Sequence, residues 1–269
     1  MAYIATEMIV VVGLGNMGLA LARRLTMRGR EVVGVDSSLD RLTIWTLLTG
    51  KRGVSSPDQV DWKGVARVLV VVRTEDQVTE ALDAIRAQAE SAGLRDVPVH
   101  VITTMTPEVA RQLPTHASSA LRIIENPITG GEAPALLGTQ TAMLAGAFEE
   151  SDIAFLKDGL MEEVVTFDAH GEPALAKLLN NLTCAYNLAA FGAVIKIGGD
   201  AGLDVTRLSK VILHGSGASY AGGMVVSMLG DLLAKDVDLA TQAIGRPPLV
   251  DPGGIEAQLA ALRARLGGS

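Results

Sequence analysis

Gly13-Leu14-Gly15-Asn16-Met17-Gly18 stands between an apolar run, Met8 to Val12, and a stretch with apolar residues at helical spacing: Met17, Ala20, Leu21 and Leu25. A short apolar run that stops at a glycine reads as a strand buried on both faces. A strand that turns through glycines directly into a helix commits this region to an α/β architecture. The first glycine permits the tight turn, the second lets a pyrophosphate approach the backbone, and the third lets the helix pack on the strand. The helix N-terminus then offers unpaired N–H groups and the positive end of its dipole to phosphates. Asp36 lies 18 residues after Gly18, at the end of a second apolar run, Glu31 to Val35. A carboxylate there accepts hydrogen bonds from ribose hydroxyls and repels a 2′-phosphate, so NAD is expected in preference to NADP. Asp36 also reads as a helix N-cap. Arg41, a turn later, is placed to meet a 2′-phosphate if it swings over.

The alternation continues with strands at Val68–Val72, Val97–Thr103, Leu121–Glu125, Ala142–Ala145 and Val164–Phe167, and helices at Gln77–Ala92 and Pro107–Leu113. Such a pattern implies right-handed crossovers and a doubly wound, mostly parallel sheet covered on both faces. The character changes near His170-Gly171. From Pro173 onward only helical patterns remain, beginning with a long helix to about Gly198 that carries an apolar stripe: Leu175, Leu178, Leu179, Leu182 and Tyr186. Further helices are expected at Val205–Leu213, Met224–Lys235, Val237–Ile244 and Ile255–Leu266. The expected organisation is a Rossmann-type domain over residues 1–169 and an all-α domain over 170–269.

Composition narrows the partners. Thirty acidic against 23 basic residues give a formal charge of −7, which repels phosphate backbones, and no basic run interleaves with aromatics. Nucleic acid is not an expected partner. One cysteine, Cys184, and four scattered histidines supply no metal-site spacing, so no metal is expected. Mean hydropathy of +0.32 raises the question of a membrane span. The most apolar stretch, Leu178 to Ile197, is interrupted by Asn180, Asn181, Asn187 and Lys196, whereas a span needs roughly 20 predominantly apolar residues. A buried helix of a soluble, cytoplasmic protein is the expectation, and the first residues lack the blocks of a signal peptide.

Two further segments carry polar groups in suggestive places. Glu125-Asn126-Pro127-Ile128-Thr129-Gly130-Gly131 follows a strand, and its hydroxyl and glycine N–H groups suit either an anion-holding turn or an ordinary loop. Lys177 and Asn181, four residues apart, share one face of the long helix. A lysine among leucines and alanines is either partly desolvated, which lowers an ammonium's pKa toward values useful in acid–base work, or solvated opposite the stripe.

Taken together, the Gly13–Gly18 fingerprint, Thr103-Thr-Met-Thr-Pro107, Asn126–Gly131, Gly171 to Asn181 and, more weakly, Lys235 to Ala240 resemble the β-hydroxyacid dehydrogenases. That family contains 3-hydroxyisobutyrate dehydrogenase and tartronate semialdehyde reductase and is related to 6-phosphogluconate dehydrogenase. The resemblance implies an oxidoreductase acting on a small carboxylate or carbonyl substrate. Lys177 would be the general acid and base, Asn181 would orient the substrate, and Thr129, Gly130 and Gly131 would grip its carboxylate. Thr104 and Lys235 would touch the cofactor near the nicotinamide and its ribose. A homodimer or higher oligomer through the C-terminal helices is also implied. This chain departs from the usual pattern at Glu125-Asn126 (Asp-Ala in relatives), at Thr129 (Ser), at Val72-Arg73 (Leu-Pro), at Val101 (Asp) and at Ala193 (Glu). Arg73 would grip pyrophosphate or substrate, or point to solvent. Imine reductases share the two-domain plan and usually take NADPH, but often place Asp or Tyr where Lys177 stands. A non-catalytic NAD-binding sensor is the reading from another class, and the retained Lys177 and Asn181 argue against it.

Overall fold

A computed structural model describes residues 7–224, 230–246, 258, 259 and 262. The chain gathers into two compact units, one comprising residues up to Leu182 with Gly230–Ala243, the other Thr183–Leu229 with the chain from Ile244. The division falls inside the long helix rather than at its start near residue 170.

The first unit is built on strands β1 (Met8–Val12), β2 (Glu31–Val35), β3 (Val65–Val70), β4 (Val97–Val101), β5 (Leu121–Glu125), β6 (Ile128–Thr129), β7 (Gln140–Gly146) and β8 (Met161–Thr166). They form one sheet in the order β2-β1-β3-β4-β5-β7-β6, with β8 also on β7. The five strands from β2 to β5 are parallel; β7 runs antiparallel to β5 and β6 and parallel to β8. The period of two explains why β1 is apolar at every position. Val10 and Val12 join Val78, Leu82 and Ile85 of α3 (Glu75–Ser91) in a core on one face, while Ile9 and Val11 join Leu21, Ala22 and Leu25 of α1 (Asn16–Met27) on the other.

The remaining helices of this unit are α2 (Leu39–Thr49), α4 (Pro107–Ala110), α5 (Glu132–Leu137) and α6 (Glu150–Lys157). The helix expected at Pro107–Leu113 stops at Ala110, and a 3-10 turn over Leu113–His116 follows. Pro114, without an N–H, cannot extend the α-helical ladder. Helix α2 gave no periodic signal because it buries only Trp45 and exposes Leu39, Leu47 and Leu48.

Helix α7 (Glu172–Asp200) runs across the division. Ala174, Leu178 and Leu182 are buried in the first unit, spaced four residues apart on one face. Of the expected apolar stripe, Leu178 and Leu182 are buried, but Leu179 is 42% exposed. Helix α7 is long and apolar enough to cross a membrane by length and composition, and only 17% of its most apolar window is buried. Burial of the helix is concentrated in its first three turns, with Gly198 buried again near its end. In the second unit α7 meets α8 (Val205–His214), which Asp204 caps by accepting from the N–H groups of Thr206 and Arg207. A Cβ on Gly198 would lie 2.2 Å from Leu208, so the glycine permits that close packing. A short α9 (Tyr220–Gly223) follows. Helix α10 (Gly230–Ile244) is continuous where two helices were expected to meet between Lys235 and Val237, since no breaker lies there. The helix expected over Ile255–Leu266 lies outside the described residues apart from 258, 259 and 262.

Candidate active site

The glycine loop has the three-part geometry its spacing predicts. Gly13 has φ +98°, and a Cβ there would lie 2.4 Å from the Val71 carbonyl oxygen; a Cβ on Gly18 would lie 1.8 Å from that of Gly13. A Cβ on Gly15, by contrast, would have no neighbour within 4 Å, and this glycine caps α1 with its backbone alone. A phosphate-bearing ligand can thus approach Gly15 and the first-turn amides of α1, which have no intrahelical partner. Asp36 braces the loop: one carboxylate oxygen accepts from Leu14 N–H at 2.7 Å and the other from Ser38 N–H at 2.8 Å. The N-cap of α2 is Ser38, not Asp36. Arg41 donates to the Asn16 side-chain oxygen at 3.2 Å, which holds a cation at the loop's outer edge. The open Gly15, the paired glycines and the carboxylate at the end of β2 fit a nicotinamide dinucleotide.

A series of contacts leads from this loop to the helical residues. Gln140, at the start of β7, is fully buried; its amide donates to the Gly131 carbonyl at 2.8 Å and lies 3.4 Å from the Met17 sulfur. Gly130 and Gly131 have φ of +133° and +89°, so the turn after β6 uses a conformation that favours glycine. Asn180 donates to the Thr129 hydroxyl at 2.9 Å and to the Asn181 side-chain oxygen at 3.1 Å. Asn181, 8% exposed, donates in turn to Asp236 at 2.6 Å. Burial pushes the Asp236 carboxyl up from its ordinary range, and the charges of Lys235 and Lys177 and the Asn181 amide pull against that shift. Lys177 is half-buried within reach of Asp236's field. Lys235 donates to the Arg73 carbonyl at 3.5 Å, which returns the series to the sheet. The Arg73 side chain is exposed. Thr103 gives its hydroxyl to the Val72 carbonyl at 2.8 Å, while its half-buried neighbour Thr104 stands next to it in the loop after β4.

The NAD binding domain of 6-phosphogluconate dehydrogenase matches residues 8–156, more than half of the chain. The chain belongs to the β-hydroxyacid dehydrogenase family. Human mitochondrial 3-hydroxyisobutyrate dehydrogenase is 26% identical over 212 residues, 78% of this chain and 62% of that protein. L-threonate dehydrogenase of Cupriavidus necator is 26% identical over 214 residues, 78% of this chain and 71% of that one. The crystal structure of 3-hydroxyisobutyrate dehydrogenase from Salmonella typhimurium superimposes with a TM-score of 0.75 at 21% identity, covering 96% of this chain and 94% of that one. It shares the fold: a dinucleotide-binding domain followed by a helical region.

Within this β-hydroxyacid dehydrogenase the structure adds residues that the motifs did not single out. Asp236 follows Lys235 directly, and its place against Asn181 becomes visible only when α10 lies beside α7. Asn180 reaches Thr129 across 51 positions of sequence. Gln140 belongs to no motif, and nothing in its sequence surroundings marks it as the link between Met17 and Gly131.

Proposed function

We propose that this chain transfers a hydride between NAD and a small β-hydroxyacid or its semialdehyde, with Lys177 as the general acid and base. The observation that carries the reading is the convergence of Lys177, Asn181, Asp236 and Thr129 in one unit with the dinucleotide cradle. Bound NAD supplies the hydride acceptor, or the donor once reduced. Lys177 takes the hydroxyl proton during oxidation and protonates the carbonyl oxygen during reduction. Asn181, held by Asp236, orients the substrate oxygen toward Lys177. Thr129 with Gly130 and Gly131 grips the substrate carboxylate, and Thr104 and Lys235 border the nicotinamide end. Residues 1–169 carry the NAD(P)-binding elements, and 170–269 supply Lys177, Asn181 and the subunit contacts of a cytoplasmic enzyme, with the first turns of α7 and most of α10 belonging to the first unit.

Initial rates with 3-hydroxyisobutyrate, serine, glycerate, 3-hydroxypropionate and L-threonate, each with NAD and with NADP, test the reading. Glyoxylate, succinate semialdehyde and a cyclic imine serve in the reducing direction. Turnover of a hydroxyacid supports it; turnover of the imine alone replaces it with imine reduction, and NAD binding without any turnover favours a sensor.

Asp36 supports NAD over NADP. Its carboxylate repels a 2′-phosphate, and Arg41 is held by Asn16. Asp36→Ala should weaken NAD about tenfold, the scale of one lost charge-assisted hydrogen bond, and relax discrimination against NADP. A wild type that already binds NADP more tightly in a fluorescence titration would show the assignment to be wrong.

Exposed Val194, Ile197, Val211 and Tyr220 in the second unit support a homodimer or higher oligomer built on these helices. Light scattering at micromolar concentration should give at least twice the chain mass of 28.1 kDa. A monomer would contradict that assignment.

A further inference from the structure

The departure at Glu125 has a structural counterpart at the start of the helix that carries Lys177. Glu125 ends β5, paired with Val101 of β4 and Ala145 of β7, and is completely buried. One of its carboxylate oxygens accepts from Gly171 N–H and the other from Ala174 N–H, both at 2.7 Å. The first of these oxygens also lies 3.4 Å from the His170 ring nitrogen Nδ1. Gly171 precedes α7 and has no side chain with which to cap it, so these amides are taken by a charge from a strand 46 and 49 residues earlier. The start of the helix is confined from the other side as well. Gly171 has φ +93°, and a Cβ on it would lie 2.9 Å from the Pro107 carbonyl. The carboxylate of Glu172 accepts from Asp168 N–H and Ala169 N–H, each at 3.0 Å.

We propose that Glu125 is a positioning residue for the reaction, one that fixes the height and rotation of α7 and thereby the distance from Lys177 to the Thr129 loop. Two acceptor oxygens on two amides restrain both sliding and rotation, which a single bond does not. Charge-assisted bonds at the positive end of a helix are the strong kind. Ala174, Lys177 and Asn181 lie at relative positions 0, 3 and 7, on one face, and Lys177 is about 4.5 Å along the axis from the anchored residue. The same strand end leads directly into Asn126–Gly131, so one buried side chain sets both partners of the substrate's grip. This inference rests on the reading of Lys177 as the proton donor and acceptor.

The test is Glu125→Gln in the full chain, which keeps the size but removes the charge and one acceptor. Hydrogen exchange of the peptide covering Gly171 to Asn181, measured without substrate, should rise about tenfold, with exchange in the peptide covering α1 unchanged. The kcat on a hydroxyacid should fall about tenfold to a hundredfold, the upper figure being the scale of a misplacement near 1 Å, with NAD affinity unchanged. Glu125→Asp, which restores the charge on a shorter arm, should recover part of the kcat. If Glu125→Gln yields no soluble protein, Glu125→Asp is read alone against the wild type for the same raised exchange and lowered kcat. Unchanged exchange, or raised exchange with unchanged kcat, overturns the proposal. So does a loss of kcat matched by an equal loss of NAD-binding sites, which marks a misfolded fraction. A wild type without turnover on any hydroxyacid sinks the reading of the reaction, and raised exchange in the variant would then still support the anchor.

Discussion

Lys177→Ala should lower turnover by about 10³-fold, within the range typical of a lost general acid–base group, while NAD affinity stays unchanged. The proposed cofactor cradle comprises Gly13–Gly18 and Asp36, and the bonds that brace this loop run among Leu14, Asn16, Asp36, Ser38 and Arg41. The substrate end should change, since Asp236 sits in the field of Lys177 and loses one of the two charges that offset its burial. Lys177→Arg should not rescue the rate in the oxidising direction: a guanidinium keeps the charge but does not give up its proton in this pH range. Steady-state rates and a fluorescence titration on the same preparations check both statements. Comparable loss of turnover and of NAD affinity would contradict the role.

The largest effect on stability is expected at Asp152, which is not one of the proposed site residues. Asp152 is completely buried at the start of α6, where it accepts from the backbone N–H of Glu149 at 2.9 Å. It pairs with Arg67 of β3 and, at 2.9 Å, with Arg122 of β5. Arg67 also stacks on Phe155 with its guanidinium carbon 4.2 Å from the ring centroid. It approaches His100 Nε2 at 2.6 Å, and because arginine only donates, that nitrogen accepts. The His100 proton then sits on Nδ1 and is donated to the Asn126 side-chain oxygen at 3.0 Å.

Removing the carboxylate takes the shared partner from two half-buried guanidiniums, of which Arg122 keeps Asp96 and Glu149, so Asp152→Ala should cost about 3 kcal/mol, the low end for breaking a buried pair. That corresponds to a fall in melting temperature of about 10 °C for a chain of this size. Burial alone would raise the Asp152 pKa, but Arg67, the Glu149 amide and Arg122 together hold it far below the usual carboxylate range. A carboxylate depressed in the folded state stabilises above its unfolded value of 3.8, and that stability is lost as pH falls through the folded value. Burial holds His100 below 6.5, so the unfolded chain takes up that proton first and stability also declines as pH falls below 6.5. Calorimetry should therefore show the wild type losing stability toward acid, with Asp152→Ala flatter below the carboxylate value. An Asp152→Ala protein that melts with the wild type would contradict this account of the cluster.

The sequence was most informative where one local pattern carries the constraint. The apolar β1 run and three glycines at fixed offsets define a strand–turn–helix unit, and Gly13, Gly15 and Gly18 each have the environment that their offset requires. Lys177 and Asn181 could be placed on one helical face from their spacing alone. Features that depend on distant partners were not legible. Helix α2 has no apolar stripe, and β6 has two residues, too few for a period. The antiparallel β5–β7 pairing inside a mostly parallel sheet left no local mark. Asp236 and Gln140 acquire meaning only through Asn181 and Gly131, and Glu125 only through amides of α7. The apolar stripe of α7 was readable, but not that its burial is concentrated before Thr183, because a helical period reports a face and not what covers it.

The fate of the hydrogen on the substrate's hydroxyl-bearing carbon tests the central claim most directly. The best hydroxyacid from the panel, deuterated at that carbon, is incubated with NAD and either the wild type or Lys177→Ala, and the cofactor is analysed by mass spectrometry. The account predicts reduced cofactor that carries the deuterium with the wild type and essentially none with the variant. Reduced cofactor without deuterium, or equal labelling by both proteins, would contradict it.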